Sequence, residues 1–301
     1  MSAESISLAG VKIAVIGGDR RQLAVINALR KMQAQLRYYA LPSSWPELAG
    51  LEQAENLIQA VSNAHIILLP INGTDPEGLV RTVEDIPAPA FTRDILEIIP
   101  DGALLAIGSL RPLMRSWVET LGIQTLEYGE TDEIAVLNSI PTAEGALQVA
   151  MEELPITIHG CSCYVLGFGR CGITLARMLH ALNAKTTVFA RRPAQLVRAQ
   201  AMGLDTGLLT ELPGRIGSAR LIYNTIPAMV LPEKLLVRTD PGVLIVDIAS
   251  APGGVDFSAA ARLGRKALLS LGLPGKVAPE TAGDILASAL PGLIMDALAS
   301  R

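Results

Sequence analysis

Residues 164–172, YVLGFGRCG, set glycines at 167, 169 and 172 after an apolar run and before the helix-like ITLARMLHAL. In that position the spacing G-x-G-x-x-G is suited to holding a dinucleotide. The first glycine makes the tight turn, the second admits a pyrophosphate to the backbone, and the third lets the helix pack on the strand. The helix start then offers unpaired N–H groups and a partial positive charge to phosphate. A second glycine turn, VKIAVIGGDRRQ at 11–22, opens the chain but differs from it. Gly17 and Gly18 are adjacent, no third glycine follows, and Asp19 stands where the helix should begin. An aspartate there caps a helix, taking N–H groups that a pyrophosphate would need, and it repels phosphate. Arg20 and Arg21 come next, and a guanidinium fork suits a planar carboxylate, although the pair would also serve as a solvated helix start. The first turn is therefore expected to face a carboxylate substrate and the second to hold the dinucleotide.

Further positions refine that chemistry. The run TTVFA ends at Ala190, where folds that prefer NAD place an acidic residue for the ribose hydroxyls. Here Arg191 and Arg192 stand instead, followed by Pro193, which favours NADP(H). Three segments rich in Gly, Pro and small polar residues follow apolar runs: NTIPAM (224–229), DIASAPGG (247–254) and LGLPGKVAPETAG (271–283). They are expected as loops at the carboxyl ends of strands, lining a crevice that faces the nicotinamide. In NSIPTAEG (138–145), Ser139 and Thr142 can donate to a carboxylate or cap the helix that follows. Glu144 is the acidic residue of that motif and the candidate proton acceptor.

Elements must position these residues, and 301 residues suffice for two ordinary domains. Half the chain is hydrophobic and 4% aromatic, a composition rich in Ala, Leu, Ile and Val that suits parallel strands covered on both faces. Strands are expected near 11–16, 35–40, 65–69 and 103–107, with helices near 20–33, 52–62 and 111–121. A helix near 142–153 leads into a second set of strands near 161–166, 185–190, 220–224, 243–248 and 266–270. Helices near 171–182, 194–202 and 256–263 separate those strands. This alternation predicts an α/β protein of two Rossmann-like, doubly wound parallel-sheet domains with an interdomain crevice. The first, on the substrate side, spans 1–140, and the second, NADP-binding, spans 141–279. The helix 280–301 returns to the first.

The net charge of −4 gives no electrostatic reason to expect nucleic acid or an anionic membrane surface as partner. MSAESISLAG lacks the marks of a signal peptide, and ILASALPGLIMDALA (285–299) contains Pro291, Gly292 and Asp296, so a cytoplasmic protein is expected. Cys161 and Cys163 alternate into one face of a strand and read as apolar packing, while Cys171 contributes its backbone to the glycine turn. His65, His159 and His180 show no metal-ligand spacing, and no metal is expected.

The combination GGDRRQ, NSIPTAEG, VLGFGRCG, NTIPAMVL, DIASAPGG and GLPGKVAPETAG resembles the A subunits of dipicolinate synthase from endospore-forming bacteria. The likeness runs from residue 11 to about 290. It implies NADP-linked oxidation of dihydrodipicolinate to dipicolinate on a branch from lysine biosynthesis. It also implies partnership with a flavoprotein-like B subunit, and a place in the mother cell during sporulation. It further implies that Gly167, Phe168, Gly169, Arg170, Cys171 and Gly172 hold the pyrophosphate and Arg191 the ribose phosphate. Asn224, Thr225, Pro227, Asp247, Ala249, Ala278 and Pro279 would line the nicotinamide end. The family pattern GGD-x-RQ favours Arg21 over Arg20 as the inward cation. A homo-oligomer is compatible with the pattern. Two other readings stay open: a 2-hydroxy-acid dehydrogenase, disfavoured because residues 269–283 hold no histidine to carry the alcohol proton, and an NADP(H)-binding scaffold whose partner carries the chemistry.

Overall fold

A computed structural model describes residues 7–83 and 85–300. Their contacts divide the chain into two units: residues up to 137 together with those from 278 onward, and residues 138–277. The first unit holds β1 (Lys12–Ile16), β2 (Gln35–Tyr39), β3 (Glu52–Gln53), β4 (Ile66–Leu68), β5 (Leu104–Ile107) and β6 (Gln124–Glu127) in one parallel sheet of order β3-β2-β1-β4-β5-β6. The second holds β7 (Ser162–Leu166), β8 (Lys185–Ala190), β9 (Asp205–Leu208), β10 (Leu221–Asn224), β11 (Leu244–Asp247) and β12 (Lys266–Leu269), in the order β12-β11-β10-β7-β8-β9. Both are Rossmann-like. Strand order reverses between β1 and β4 and again between β7 and β10, and open α/β sheets bind ligands beyond the carboxyl ends at such a reversal.

The central strands form because their runs are apolar on both faces. KIAVI of β1 and SCYVL of β7 are buried beyond their first residue or two, as strands covered by helices on both sides must be. Cys161 and Cys163 lie in the same core as Val165 and Val188. The helix Arg170–Ala181 seats Gly172, Leu175, Ala176 and Leu179 against this sheet, positions spaced three and four apart. Each buried leucine contributes roughly 1.5–3 kcal/mol of transfer free energy. Parallel register then brings strand ends into one row, with Asn224 beside both Leu166 and Asp247, and Asp247 beside Leu269.

Several elements differ from the sequence expectation. The helix expected from 142 begins at Asp132 and runs to Glu153 with Pro141 inside it. A proline inside a helix removes one hydrogen bond, so its presence argued for a start just after it. Acidic Asp132 and Glu133 in the first turn complement the helix dipole at the true start. The expected helix 52–62 is the short strand β3 followed by Leu57–Val61, capped by Asn56, whose side chain accepts the Gln59 N–H. Strands β3, β6 and β9 were not expected. They are edge strands, and their largely exposed or part-buried residues lack the continuous apolar run of a central strand. The segment 271–283 is largely helical rather than a loop, containing Leu273–Val277 and the start of Pro279–Ala299.

Pro279–Ala299 is long and apolar enough, by length and composition, to cross a membrane. In the first unit it packs on the helix Arg21–Lys31, where a Cβ at Gly283 would lie 3.1 Å from the Ala24 Cβ and 3.3 Å from the Arg21 backbone. Leu286, Leu290 and Ile294 join the core around Val25, Ile26 and Leu29.

Candidate functional site

In the second unit, β7 ends at Leu166 and the chain turns at Gly167, whose φ of +98° favours glycine. A Cβ at Gly167 would overlap the Thr225 hydroxyl, and one at Gly172 would overlap the Gly167 carbonyl oxygen. Those two glycines are required by the protein's own packing. Gly169 is different: a Cβ there would meet no atom within 4 Å. Its exposed backbone sits at the N-cap of Arg170–Ala181, where no side-chain hydrogen bond caps the helix. A smooth, uncapped helix start with open space over the middle glycine fits a dinucleotide pyrophosphate. Phe168 turns its ring into the core, and its carbonyl accepts Gln195 Nε2–H at 3.0 Å. Burial raises the Cys171 thiol above its ordinary pKa, with Arg170 opposing, so at neutral pH this sulfur is a neutral packing group. The Thr225 hydroxyl donates to the Leu166 carbonyl at 2.9 Å, tying β10 to β7 at the reversal point.

Beyond β8, Ala190 is buried while Arg191 and Arg192 are exposed, and neither makes an ion pair among the described residues. Arg192 is the N-cap residue of Pro193–Ala201, whose proline occupies the first turn, where a missing N–H costs nothing. No acidic residue lies between Thr186 and Leu204. Two guanidiniums therefore stand at the end of β8, open to an added phosphate.

Asn224 and Asp247 are wholly buried, so their side chains act on the protein itself. Asn224 Nδ2 donates to Asp247 Oδ1 at 2.8 Å and to the Ile226 carbonyl at 3.0 Å, and Asn224 Oδ1 accepts the Ile226 N–H at 3.1 Å. Asp247 accepts the Ala249 N–H at 3.0 Å and the Gly254 N–H at 2.8 Å. The pair thus shapes the turns that carry Thr225, exposed Pro227 and buried Ala249. Ala278 is the N-cap residue of the last helix and Pro279 its first helical position, both in the first unit.

The first unit's glycine turn is closed by the protein. Gly18 N–H donates to the Arg81 carbonyl at 2.8 Å and Gly18 bridges to Thr82 in parallel, so the segment after β4 lies along the turn. A Cβ at Gly17 would lie 2.8 Å from Val80, and one at Gly18 would overlap the Gln22 side chain. Where the second unit leaves space for a pyrophosphate, the first is filled by Val80, Arg81 and Gln22. Beside this plug, Arg21 Nε donates to Asp19 Oδ1 at 2.8 Å and Nη2 to Oδ2 at 2.6 Å, while the Arg21 N–H reaches the same Oδ1 at 3.1 Å. The Arg21 side chain is 4% exposed. Tyr128, wholly buried, donates its hydroxyl to the Leu69 carbonyl at 2.8 Å. Burial raises its phenol well beyond the ordinary range, Arg21 pulls the other way and Asp19 adds to the rise, so the hydroxyl stays a donor. Gln22, 2% exposed, leaves its Nε2 without a partner. Sequence reasoning passed over Tyr128 and Gln22, and the sole signal for the latter was its place in GGDRRQ.

Ser139, Thr142 and Glu144 lie inside the helix Asp132–Glu153, so neither hydroxyl caps it. Ser139 is wholly buried and shares a 2.6 Å hydrogen bond with Thr174 on the helix of the glycine turn. Thr142 donates to the Asn138 carbonyl at 2.7 Å, and Glu144 is exposed. Among the described residues no three His, Cys, Asp or Glu side chains gather as metal ligands.

Comparison with known proteins agrees with this architecture. The family model for the N-terminal domain of the dipicolinate synthase A subunit matches residues 12–129. The A subunit of dipicolinate synthase from Bacillus subtilis (strain 168) is 38% identical over 303 residues, covering 96% of this chain and 97% of that protein. The crystal structure of its counterpart from Bacillus halodurans, also a dipicolinate synthase A subunit, superposes with a TM-score of 0.88 at 34% identity, covering 96% of this chain and 99% of that one. A transhydrogenase from Sinorhizobium meliloti shares the fold at a TM-score of 0.64 and 15% identity, covering 94% of each chain. The chain belongs to the family of dipicolinate synthase A subunits.

Proposed function

We propose that this chain is the NADP(H)-dependent subunit that oxidises dihydrodipicolinate to dipicolinate, pyridine-2,6-dicarboxylate, in the cytoplasm of the mother cell, on a branch from lysine biosynthesis. The observation that carries the reading is the open cradle at Gly169 on an uncapped helix, with Arg191 and Arg192 free at the end of β8. The backbone at 167–172 would take the pyrophosphate and Arg191 the 2′-phosphate. Thr225, Pro227 and Ala249 would contribute the nicotinamide end, with Asn224 and Asp247 holding their turns. When bound, NADP⁺ would accept the hydride.

Oxidation of the dihydropyridine releases one hydride and one proton, and formation of the aromatic ring drives it. The protein's tasks are therefore to orient a dicarboxylate and to take up a proton. We assign substrate carboxylate binding to Arg21, and proton uptake to Glu144, exposed on its helix. Ser139, hydrogen-bonded to Thr174, and Thr142, donating to the Asn138 carbonyl, would help hold the same substrate carboxylate. A B subunit is the expected partner.

The test is turnover of dihydrodipicolinate with NADP⁺ by the purified chain, with and without the B subunit. Reduced cofactor should form with the native chain and fail to form with Gly169→Val. Turnover that needs the partner but survives Gly169→Val would assign the chemistry to the partner and leave this chain a scaffold. Glu144→Gln should lower turnover by about 10²-fold or more if that carboxylate takes the proton, with cofactor affinity retained.

A further inference from the structure

The turn that fills the first unit's cradle has more donors than acceptors. Arg21 carries five N–H bonds in a planar fork, and Asp19 accepts from Nε and from one Nη2 hydrogen. Nη1 makes no hydrogen bond to a described residue and is not wholly cut off from solvent. The next residue, Gln22, is 2% exposed and its Nε2 also has no partner. Buried donors are ordinarily paired, and leaving one unpaired is costly. An anion with two acceptor oxygens would restore the balance.

The arrangement also fixes which edge of the fork an anion can use. Asp19 grips the guanidinium through Nε and Nη2 and accepts the Arg21 main-chain N–H, so one carboxylate orients both the side chain and the first turn of its helix. A long arginine side chain otherwise carries considerable rotamer freedom, and holding it in one pose before binding lowers the ordering cost of association. The two charges also offset one another, so binding at the free edge is governed by hydrogen-bond geometry more than by net charge. That favours a flat carboxylate over a phosphate, and it discriminates dicarboxylate from monocarboxylate rings when the second carboxylate is the one held here.

We infer that Asp19 is a positioning residue for substrate recognition: it locks Arg21 so that the outer edge of the guanidinium, with Gln22 beside it in sequence, receives one carboxylate of the pyridine dicarboxylate. This rests on the assignment of Arg21 to the substrate.

Calorimetric titration of dipicolinate and of picolinate, its monocarboxylate analogue, into the full chain with saturating NADP⁺ tests it. Native protein should bind dipicolinate more tightly. Asp19→Asn and Asp19→Ser should each weaken dipicolinate about tenfold and leave picolinate and NADP(H) nearly unchanged. Serine keeps an N-terminal acceptor for the helix, so the second variant separates helix capping from grip on the guanidinium. In an Arg21→Ala background the Asp19 substitutions should have no further effect. Equal losses in native and Arg21→Ala backgrounds would make Asp19 merely structural and overturn the inference. So would unchanged dipicolinate affinity in both Asp19 variants while Arg21→Ala weakens it. Native affinity in Arg21→Ala itself would instead remove the substrate assignment on which the inference stands.

Discussion

Asn224 Nδ2 and Asp247 Oδ1 meet at 2.8 Å with both residues wholly buried at the ends of adjacent strands. Between them they fix the first residues of two successive turns, because Asp247 also holds the Ala249 and Gly254 N–H groups. Asp247→Asn keeps the shape but turns an amide N–H₂ toward groups that already donate. The second unit should lose about 3 kcal/mol, and its melting temperature should fall by roughly 6–12 °C. Scanning calorimetry on the two proteins would measure this, and an unchanged transition would show that the turns hold without the carboxylate.

Cofactor choice should depend on the end of β8. Arg191→Ala is expected to raise the Kd for NADP(H) about tenfold, from the loss of one charge-assisted contact. Affinity for NAD(H) should stay constant. Parallel titrations with both cofactors decide the matter, since an equal loss for the two would place Arg191 away from the 2′-phosphate.

The three glycines of the turn should separate by phenotype. Gly169→Val should melt like the native chain and lose NADP(H) affinity, because its side chain enters space the protein leaves empty. Gly172→Ala must displace the Gly167 carbonyl, at a cost of about 1–3 kcal/mol. Thermal melts paired with cofactor titration would show the contrast, and a destabilised Gly169→Val would remove it.

Gln22→Met tests whether the orphan donor serves a ligand. Removing an unpaired buried amide of similar volume should stabilise the chain by about 1 kcal/mol, or roughly 2–4 °C. The same change should weaken dipicolinate. Gain in stability with full dipicolinate affinity would make Gln22 a structural imperfection only.

The sequence made some of this visible and hid the rest for physical reasons. KIAVI and SCYVL announce central strands because both faces are buried and the runs are unbroken. Glu52–Gln53, Gln124–Glu127 and Asp205–Leu208 announce nothing, since an edge strand needs a neighbour's backbone more than its own apolar residues. Pro141 hid the first half of a 22-residue helix. The glycine spacing at 167–172 was legible, yet the reason for each glycine was not. It took Thr225 from β10 and the Gly167 carbonyl to separate two packing glycines from one that leaves open space. The plug over Gly17 and Gly18 comes from isolated bridges in a segment without periodicity, and the Asn224–Asp247 contact joins residues related only by strand register.

The helix carrying Arg21 packs on Pro279–Ala299, and the ribosome makes the whole of the second unit between them. At ordinary elongation speeds that interval is roughly 10–50 s. Throughout it, Val25, Ile26 and Leu29 lack the Leu286, Leu290 and Ile294 side chains that complete their core. The first unit's core can thus be completed only after the whole chain of the second unit has been made.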